Sequence, residues 1–81
     1  MLFTDVEAAR SLGMARSTIW GRVRDGTMPP PIRRGTKWSR WPQSDVQRVE
    51  AAIVAGATDD ELRALVRELL DQRAAGRPRA A

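Results

Sequence analysis

The sequence of 81 residues contains no cysteine and no histidine. Without cysteine the chain forms no disulfide and offers no thiolate to a metal ion. Without histidine it lacks the commonest metal ligand and the usual general base near neutral pH. No convincing set of carboxylates, lysines or activated hydroxyls replaces them. We therefore expect a protein that is not an enzyme and that holds neither a cofactor nor a metal ion.

Long apolar runs are also absent. No stretch approaches the roughly 20 apolar residues needed to span a bilayer, and residues 1–5 lack the basic start and apolar core of a signal peptide. The sequence thus predicts a cytoplasmic protein with no membrane partner. Its hydrophobic content of 42% suits a folded chain, and its length fits one domain with a thin core.

Charge divides unevenly along the chain, which carries 14 Lys and Arg against 10 Asp and Glu. Residues 1–42 hold 8 basic and 3 acidic residues, a net charge of +5. Residues 43–81 hold 6 basic and 7 acidic residues, a net charge of −1. A positive field confined to one half is typical of a surface that docks nucleic acid. An ordinary solvated surface is the alternative.

Two short helices are predicted near the amino terminus. Residues 4–7, Thr-Asp-Val-Glu, have the capping-box pattern and predict a first helix over residues 5–11, with Gly13 as its stop. A second helix is expected over residues 15–25, ended by Gly26. Two short helices joined by a glycine-containing turn favour a helix-turn-helix, and a plain helical hairpin is the alternative. The side chains expected to be buried by the first helix are Val6, Ala9 and Leu12.

A two-stranded hairpin is expected next. Three consecutive prolines at residues 29–31 exclude helix and favour an extended chain. Residues 31–41 then have strand-compatible side chains around a turn at residues 34–36, and Pro42 should end the second strand. We expect Trp41 to anchor the core, whereas Trp38 either packs on the second helix or stays half exposed.

Two further helices are predicted in the second half. Ser44 is expected to cap a third helix that runs to about Ala55 and buries Val46, Val49 and Ile53. Residues 58–61 form another capping box, which begins a fourth helix that runs to about Arg73. Acidic residues in that first turn are ordinary partners of the helix dipole. One apolar stripe follows at helical spacing, consisting of Leu62, Leu65, Val66, Leu69 and Leu70.

This stripe has three possible uses. It completes a thin core by folding back on the third helix, which the short connection favours. Alternatively, it pairs with a second protomer, or it docks on a larger protein.

The outward face of the second helix suits the major groove of DNA, because its side chains are small, polar or basic. Gly21 at the centre either lets the backbone approach DNA or is a tolerated weak helix former, at a cost of roughly 1 kcal/mol. Trp20 lies at the boundary, as a packing residue or a base contact. The amino end of the helix favours a phosphate. The candidate DNA-binding residues of this helix are Arg16, Ser17, Thr18, Trp20, Gly21, Arg22 and Arg24.

The hairpin tip is basic. Such a tip forms a wing that lies over the DNA backbone or enters the minor groove, and a solvated turn is the alternative. The candidate DNA-binding residues of the wing are Arg33, Arg34, Thr36, Lys37 and Arg40.

Several short segments resemble a known family. The run Leu12-Gly13-Met14-Ala15-Arg16-Ser17-Thr18-Ile19-Trp20 resembles the LG-x-S-R-S-T-I-Y segment of AlpA-like phage regulators and excisionases. Residues 25–29 resemble the G-x-F-P exit of that family, and residues 40–46 resemble its wing-to-helix junction. The likeness covers about residues 2–55. It implies a winged helix-turn-helix related to that of the MerR regulators.

These features predict an α+β, mainly α, protein. Residues 1–56 should form a winged helix-turn-helix with a two-stranded wing, residues 57–74 a further helix that completes a C-terminal helical hairpin, and residues 75–81 a flexible tail. The resemblance implies sequence-specific binding of double-stranded DNA by a small transcriptional regulator of a phage or mobile element. An excisionase that bends DNA for an integrase is the alternative, and an interaction module docking through the fourth helix is a third. A second protomer, a cooperative array on DNA and an integrase are the candidate protein partners.

Overall fold

The computed structural model describes residues 1–76, which form an α+β, mainly helical fold of four helices and a three-stranded antiparallel sheet. No helix within these residues is long and apolar enough to cross a membrane. The elements in chain order are β1 (Leu2–Phe3), α1 (Asp5–Leu12), α2 (Arg16–Asp25), β2 (Ile32–Arg34), β3 (Trp38–Pro42), α3 (Gln43–Val54) and α4 (Asp59–Ala75).

Helix α1 begins at the predicted capping box. The Thr4 hydroxyl accepts from the backbone N–H of Glu7 at 3.2 Å, and the Glu7 carboxylate accepts from the backbone N–H of Thr4 at 2.8 Å. These hydrogen bonds lower the pKa of Glu7, the one from the Thr4 backbone most strongly. The predicted burial of Val6 is wrong, because α1 turns Ala8 and Ala9 inward and leaves Val6 45% exposed. Small side chains on this face allow close approach of the neighbouring helices.

Helix α2 follows after a tight turn. Gly13 lies at φ 68°, in the left-handed region that favours glycine, and the N–H of Met14 reaches back to the carbonyl of Ala9 at 3.0 Å. The extended residue before α2 is Ala15, whose side chain cannot cap the helix. Gly26, at φ 82°, ends α2 as predicted. Ile19 anchors the helix in the core.

The sheet has the order β1-β3-β2. Strand β1 was not predicted from the sequence, because two residues become a strand only by pairing, here Phe3 opposite Trp41. The hairpin turn lies one residue later than expected, since Arg34 pairs with Trp38 and leaves residues 35–37 at the tip. Pro42 ends β3 as predicted, and as the last residue of the strand it pairs with Leu2.

Helix α3 starts earlier than predicted. Its first residue is Gln43, whose N–H donates to the carbonyl of Met1 at 2.8 Å, and no side chain caps it. The predicted cap at Ser44 is therefore wrong, because the chain passes directly from β3 into the helix. Val46 and Val49 are buried as expected, whereas Ile53 is 39% exposed.

Helix α4 packs on α3 and supplies part of the core. Leu62, Val66 and Leu69 are buried within the chain, Leu65 is partly buried and Leu70 is 36% exposed. This is the arrangement in which the stripe folds back on the third helix. The helix extends to Ala75, which was predicted as the first residue of a flexible tail, and residues 77–81 of that predicted tail lie outside the described part of the chain.

Two arginines tie α4 to the rest of the fold. Arg73 donates to one carboxylate oxygen of Asp45 in α3 at 2.7 and 2.9 Å, and to the carbonyl of Pro30 at 2.7 Å. Arg63 donates to the carbonyl of Asp25, the last residue of α2, at 3.1 Å. Helix α4 therefore holds the end of α2 and the proline loop in place.

Leu69 and Leu70 provide a matched test of this packing. Leu69→Ala should lower the free energy of unfolding by about 2–5 kcal/mol, because it opens a cavity among buried side chains. Leu70→Ala should cost less than about 1 kcal/mol, since that side chain already contacts solvent. Urea unfolding followed by circular dichroism measures both. Equal losses would show that the stripe is not packed against α3.

Candidate nucleic-acid interface

The outward side of α2 carries the first group of predicted residues. Ser17, Thr18 and Arg24 are exposed, and Gly21 lies between them, partly buried. A side chain on Gly21 would meet no atom within 4 Å. Packing within the described chain therefore does not require a glycine at this position.

Arg22 is placed differently from its neighbour Arg24. Its Nε atom is buried and has no hydrogen-bond acceptor among residues 1–76. The side chain borders a surface cavity of about 340 Å³, together with Thr18 and Gly21 of α2 and Asp59 at the start of α4. A buried donor without an acceptor costs about 1–3 kcal/mol, so an acceptor supplied by a ligand would relieve an existing penalty. Arg24 is the more accessible arginine of this face.

At the amino end of α2, Arg16 and Trp20 are hydrogen-bonded to Asp5 of α1. The Arg16 Nε and the Trp20 Nε1 both donate to the same oxygen of Asp5, at 2.6 and 3.1 Å. Burial opposes ionisation of Asp5, but the hydrogen bonds from Arg16, Trp20 and the Val6 backbone together lower its pKa below the ordinary aspartate value. Asp5 is therefore ionised near neutral pH. The Arg16 side chain remains 68% exposed.

Trp20 is a packing residue in this structure. Its ring lies 5.2 Å from that of Trp41, tilted by 58°. The guanidinium of Arg33, in β2, lies over the same ring, 5.6 Å from its centroid and within cation–π range. Trp20 thus joins α2 to both the core and the hairpin.

The hairpin presents four of its five predicted residues to solvent, namely Arg33, Arg34, Thr36 and Lys37. Arg40 is only partly exposed. Its guanidinium lies 5.1 Å from the ring centroid of Trp38 and donates to the carbonyl of Ser39 at 2.9 Å. The structure thus brings Arg33 beside α2 and holds Arg40 along β3.

Sequence reasoning did not identify Asp5 as part of this surface. Asp5 lies within the predicted capping box of α1, and nothing in its spacing from Arg16 and Trp20 indicates a contact.

Within residues 1–76 no group of three or more His, Cys, Asp or Glu side chains could hold a metal ion. Comparison with known protein families, curated proteins and solved structures found no match to this chain.

Replacing Gly21 by alanine should have opposite effects on folding and on DNA binding. The change should stabilise the protein by about 0.4–1 kcal/mol, because alanine restricts the unfolded chain and a methyl group fits the open space. If the backbone approaches DNA here, the same methyl group should weaken binding. Thermal unfolding and a fluorescence-anisotropy titration with duplex DNA measure the two effects. Unchanged DNA affinity would identify Gly21 as a tolerated weak helix former.

Proposed function

We propose that the protein binds double-stranded DNA as a winged helix-turn-helix, with α2 in the major groove and the β2–β3 hairpin as the wing. The observation that carries this proposal is the stacking of Arg33 on Trp20. This contact brings a basic side chain of the hairpin to α2, so that the two groups of predicted residues adjoin at this point. A helix and a hairpin side by side can occupy one groove and the neighbouring backbone.

The charges of this surface support the proposal. Arg24, Arg33, Arg34 and Lys37 are exposed. Of the three acidic residues before Gln43, Asp5 is hydrogen-bonded to Arg16 and Trp20, and Glu7 is held in the α1 capping box. Asp5 is balanced by Arg16, so the acids that oppose the positive field on this side are Asp25, at the far end of α2, and Asp59 of α4, which borders the cavity beside Arg22. Basic groups with few competing acids favour phosphate contacts.

The biological role rests on the family resemblance. It suggests a small cytoplasmic transcriptional regulator of a phage or mobile element, with an excisionase that bends DNA for an integrase as the alternative. An interaction module that docks through the α4 stripe has less support, because three of the five stripe residues are buried within the chain. Binding by single protomers, dimers or arrays would be distinguished by the stoichiometry on DNA.

The proposal is tested by selecting bound sequences from a random duplex pool and titrating the selected site at several salt concentrations. Arg24→Ala should weaken the selected site by roughly 1–3 kcal/mol if Arg24 contacts a base, and should affect random DNA much less. Arg48→Ala is the matched control, because Arg48 is an exposed arginine of α3 that pairs with Glu68 of α4. It should leave binding unchanged.

One result would limit Arg24 to a role without base recognition, and another would overturn the proposal. Equal losses on selected and random DNA would show that Arg24 only holds phosphate. Absence of any salt-dependent binding by the unmodified protein would exclude DNA binding altogether.

A further inference from the structure

Asp5 occupies an unusual position for a carboxylate. It lies at the amino end of α1, yet it contacts the basic surface formed by α2 and the hairpin. One of its oxygens accepts from both Arg16 and Trp20, and the other accepts from the backbone N–H of Val6. Only 18% of its side chain is exposed. All three contacts use the charged form of the acid as an acceptor.

A carboxylate near bound DNA ordinarily repels the phosphates. Removing such a charge should tighten binding, with little regard to the DNA sequence. Asp25 fits this description, because it is exposed at the last position of α2 and no described side chain donates to its carboxylate. The two aspartates of this basic surface therefore differ in their contacts. The Asp5 carboxylate accepts hydrogen bonds from Arg16 and Trp20, whereas no described side chain donates to the Asp25 carboxylate.

We propose that Asp5 is a positioning residue of the DNA interface, which strengthens binding by fixing Arg16 in the orientation that meets DNA and by holding Trp20 beneath Arg33. This inference rests on the proposed DNA-binding function. Arg16 is mostly exposed and can therefore reach DNA. Its side chain has three or more rotatable bonds, and it loses less conformational entropy on binding DNA when its Nε is already held by Asp5. The guanidinium keeps its other N–H groups for a phosphate, since only its Nε donates to Asp5.

The effect of Asp5 extends to the hairpin through Trp20. The indole N–H bonded to Asp5 fixes the plane of the ring on which the Arg33 guanidinium lies. Loss of that hydrogen bond removes one of the two contacts, the other being with Trp41, that hold the ring in place under Arg33. Asp5 thus orients one cation at the start of α2 and, through Trp20, a second one on the hairpin.

The test compares Asp5→Asn with Asp25→Asn on the selected duplex and on a mixed-sequence duplex. Both changes remove one negative charge. Asp25→Asn should tighten binding to both duplexes a few-fold, as expected when repulsion is relieved. Asp5→Asn should instead weaken binding by about tenfold, and log K should fall less steeply with log[salt], by about one unit of slope, because the Arg16 phosphate contact is lost. Equal or tighter binding by Asp5→Asn would overturn the proposal.

Two further variants separate positioning from a general effect on folding. Asp5→Glu keeps the charge but moves the carboxylate by one methylene group, so it should also bind more weakly than the unmodified protein. If Asp5→Asn fails to fold, Asp5→Glu becomes the deciding variant. Unchanged DNA affinity of Asp5→Glu would overturn the proposal. In an Arg16→Ala background, Asp5→Asn should cost less than it does alone, because one of the side chains it orients is missing. Full additivity would contradict action through Arg16.

A readout without DNA completes the test. In ¹H–¹⁵N spectra, the indole N–H resonance of Trp20, assigned with Trp20→Phe, should shift in Asp5→Asn and stay in place in Asp25→Asn. An unmoved resonance would show that the hydrogen bond from Trp20 to Asp5 is absent in solution and would overturn the proposal. Failure of the proposed function is distinguishable, because the unmodified protein would then bind neither duplex.

Discussion

Trp41→Ala is expected to destabilise the protein more than any other single substitution considered. Trp41 is fully buried, its indole N–H donates to the carbonyl of Pro29 at 2.7 Å, and its ring packs against Trp20. Truncation should lower the free energy of unfolding by about 3–5 kcal/mol, because it leaves a large cavity and an unpaired carbonyl. A domain of this size has roughly 4–12 kcal/mol in total. If the total lies at the low end of that range, the variant should be partly unfolded even without denaturant.

Urea titration followed by far-UV circular dichroism measures this loss. Trp41→Phe is the control, since it retains most of the ring volume and removes the N–H group, at an expected cost of about 1–2 kcal/mol. A loss below about 1 kcal/mol for Trp41→Ala would contradict the central place of this side chain. DNA binding by any folded fraction should also weaken, because Trp20 loses the ring that supports it.

Removing the basic residues of the hairpin tip is expected to have the largest effect on DNA binding. The triple variant Arg33→Gln, Arg34→Gln, Lys37→Gln should reduce the slope of log K against log[salt] by about 2–3 units, since each neutralised contact releases about one counterion fewer. At about 0.1 M salt this corresponds to a loss of about two to three orders of magnitude in affinity. All three side chains are exposed at the surface, so the fold should persist.

Lys37→Gln alone shows how much a single basic side chain of the hairpin contributes to the slope of log K against log[salt]. It should lower the slope by about one unit and keep the preference for the selected sequence, because a phosphate contact carries no base information. Arg33→Gln should cost more than Lys37→Gln, because it also removes the cation–π contact with Trp20. A triple variant with an unchanged slope would show that the hairpin faces away from DNA.

Predictions from the sequence were accurate where the determining contacts are local. The capping boxes at Thr4 and Thr58 are both present, and Gly13 and Gly26 end their helices as expected. Trp41 is the predicted core anchor. Each of these features depends on residues within a few positions or on one residue type with a strong preference.

Errors arose where a local signal competed with a tertiary contact. Ser44 has the residue type of a cap, but the pairing of β1 with β3 places the start of α3 one residue before it. Val6 has the residue type of a core side chain, but the close packing of α1 selects Ala8 and Ala9 instead. Such outcomes depend on which surface the helix meets, and that surface lies far away in the sequence.

The sequence by itself determined where α1 and α4 begin, the glycines at which α1 and α2 end, that a hairpin follows the prolines, and which residue types lie on the outward side of α2. The tertiary structure alone decided how those parts meet. The bonds from Arg16 and Trp20 to Asp5 span 11 and 15 residues, and those from Arg73 to Asp45 and Pro30 span 28 and 43. Helix caps involve groups three or four residues apart, so a short sequence window encodes them. Hydrogen bonds across such distances form only when the burial of Ile19, Trp41 and Leu69 has brought the helices together.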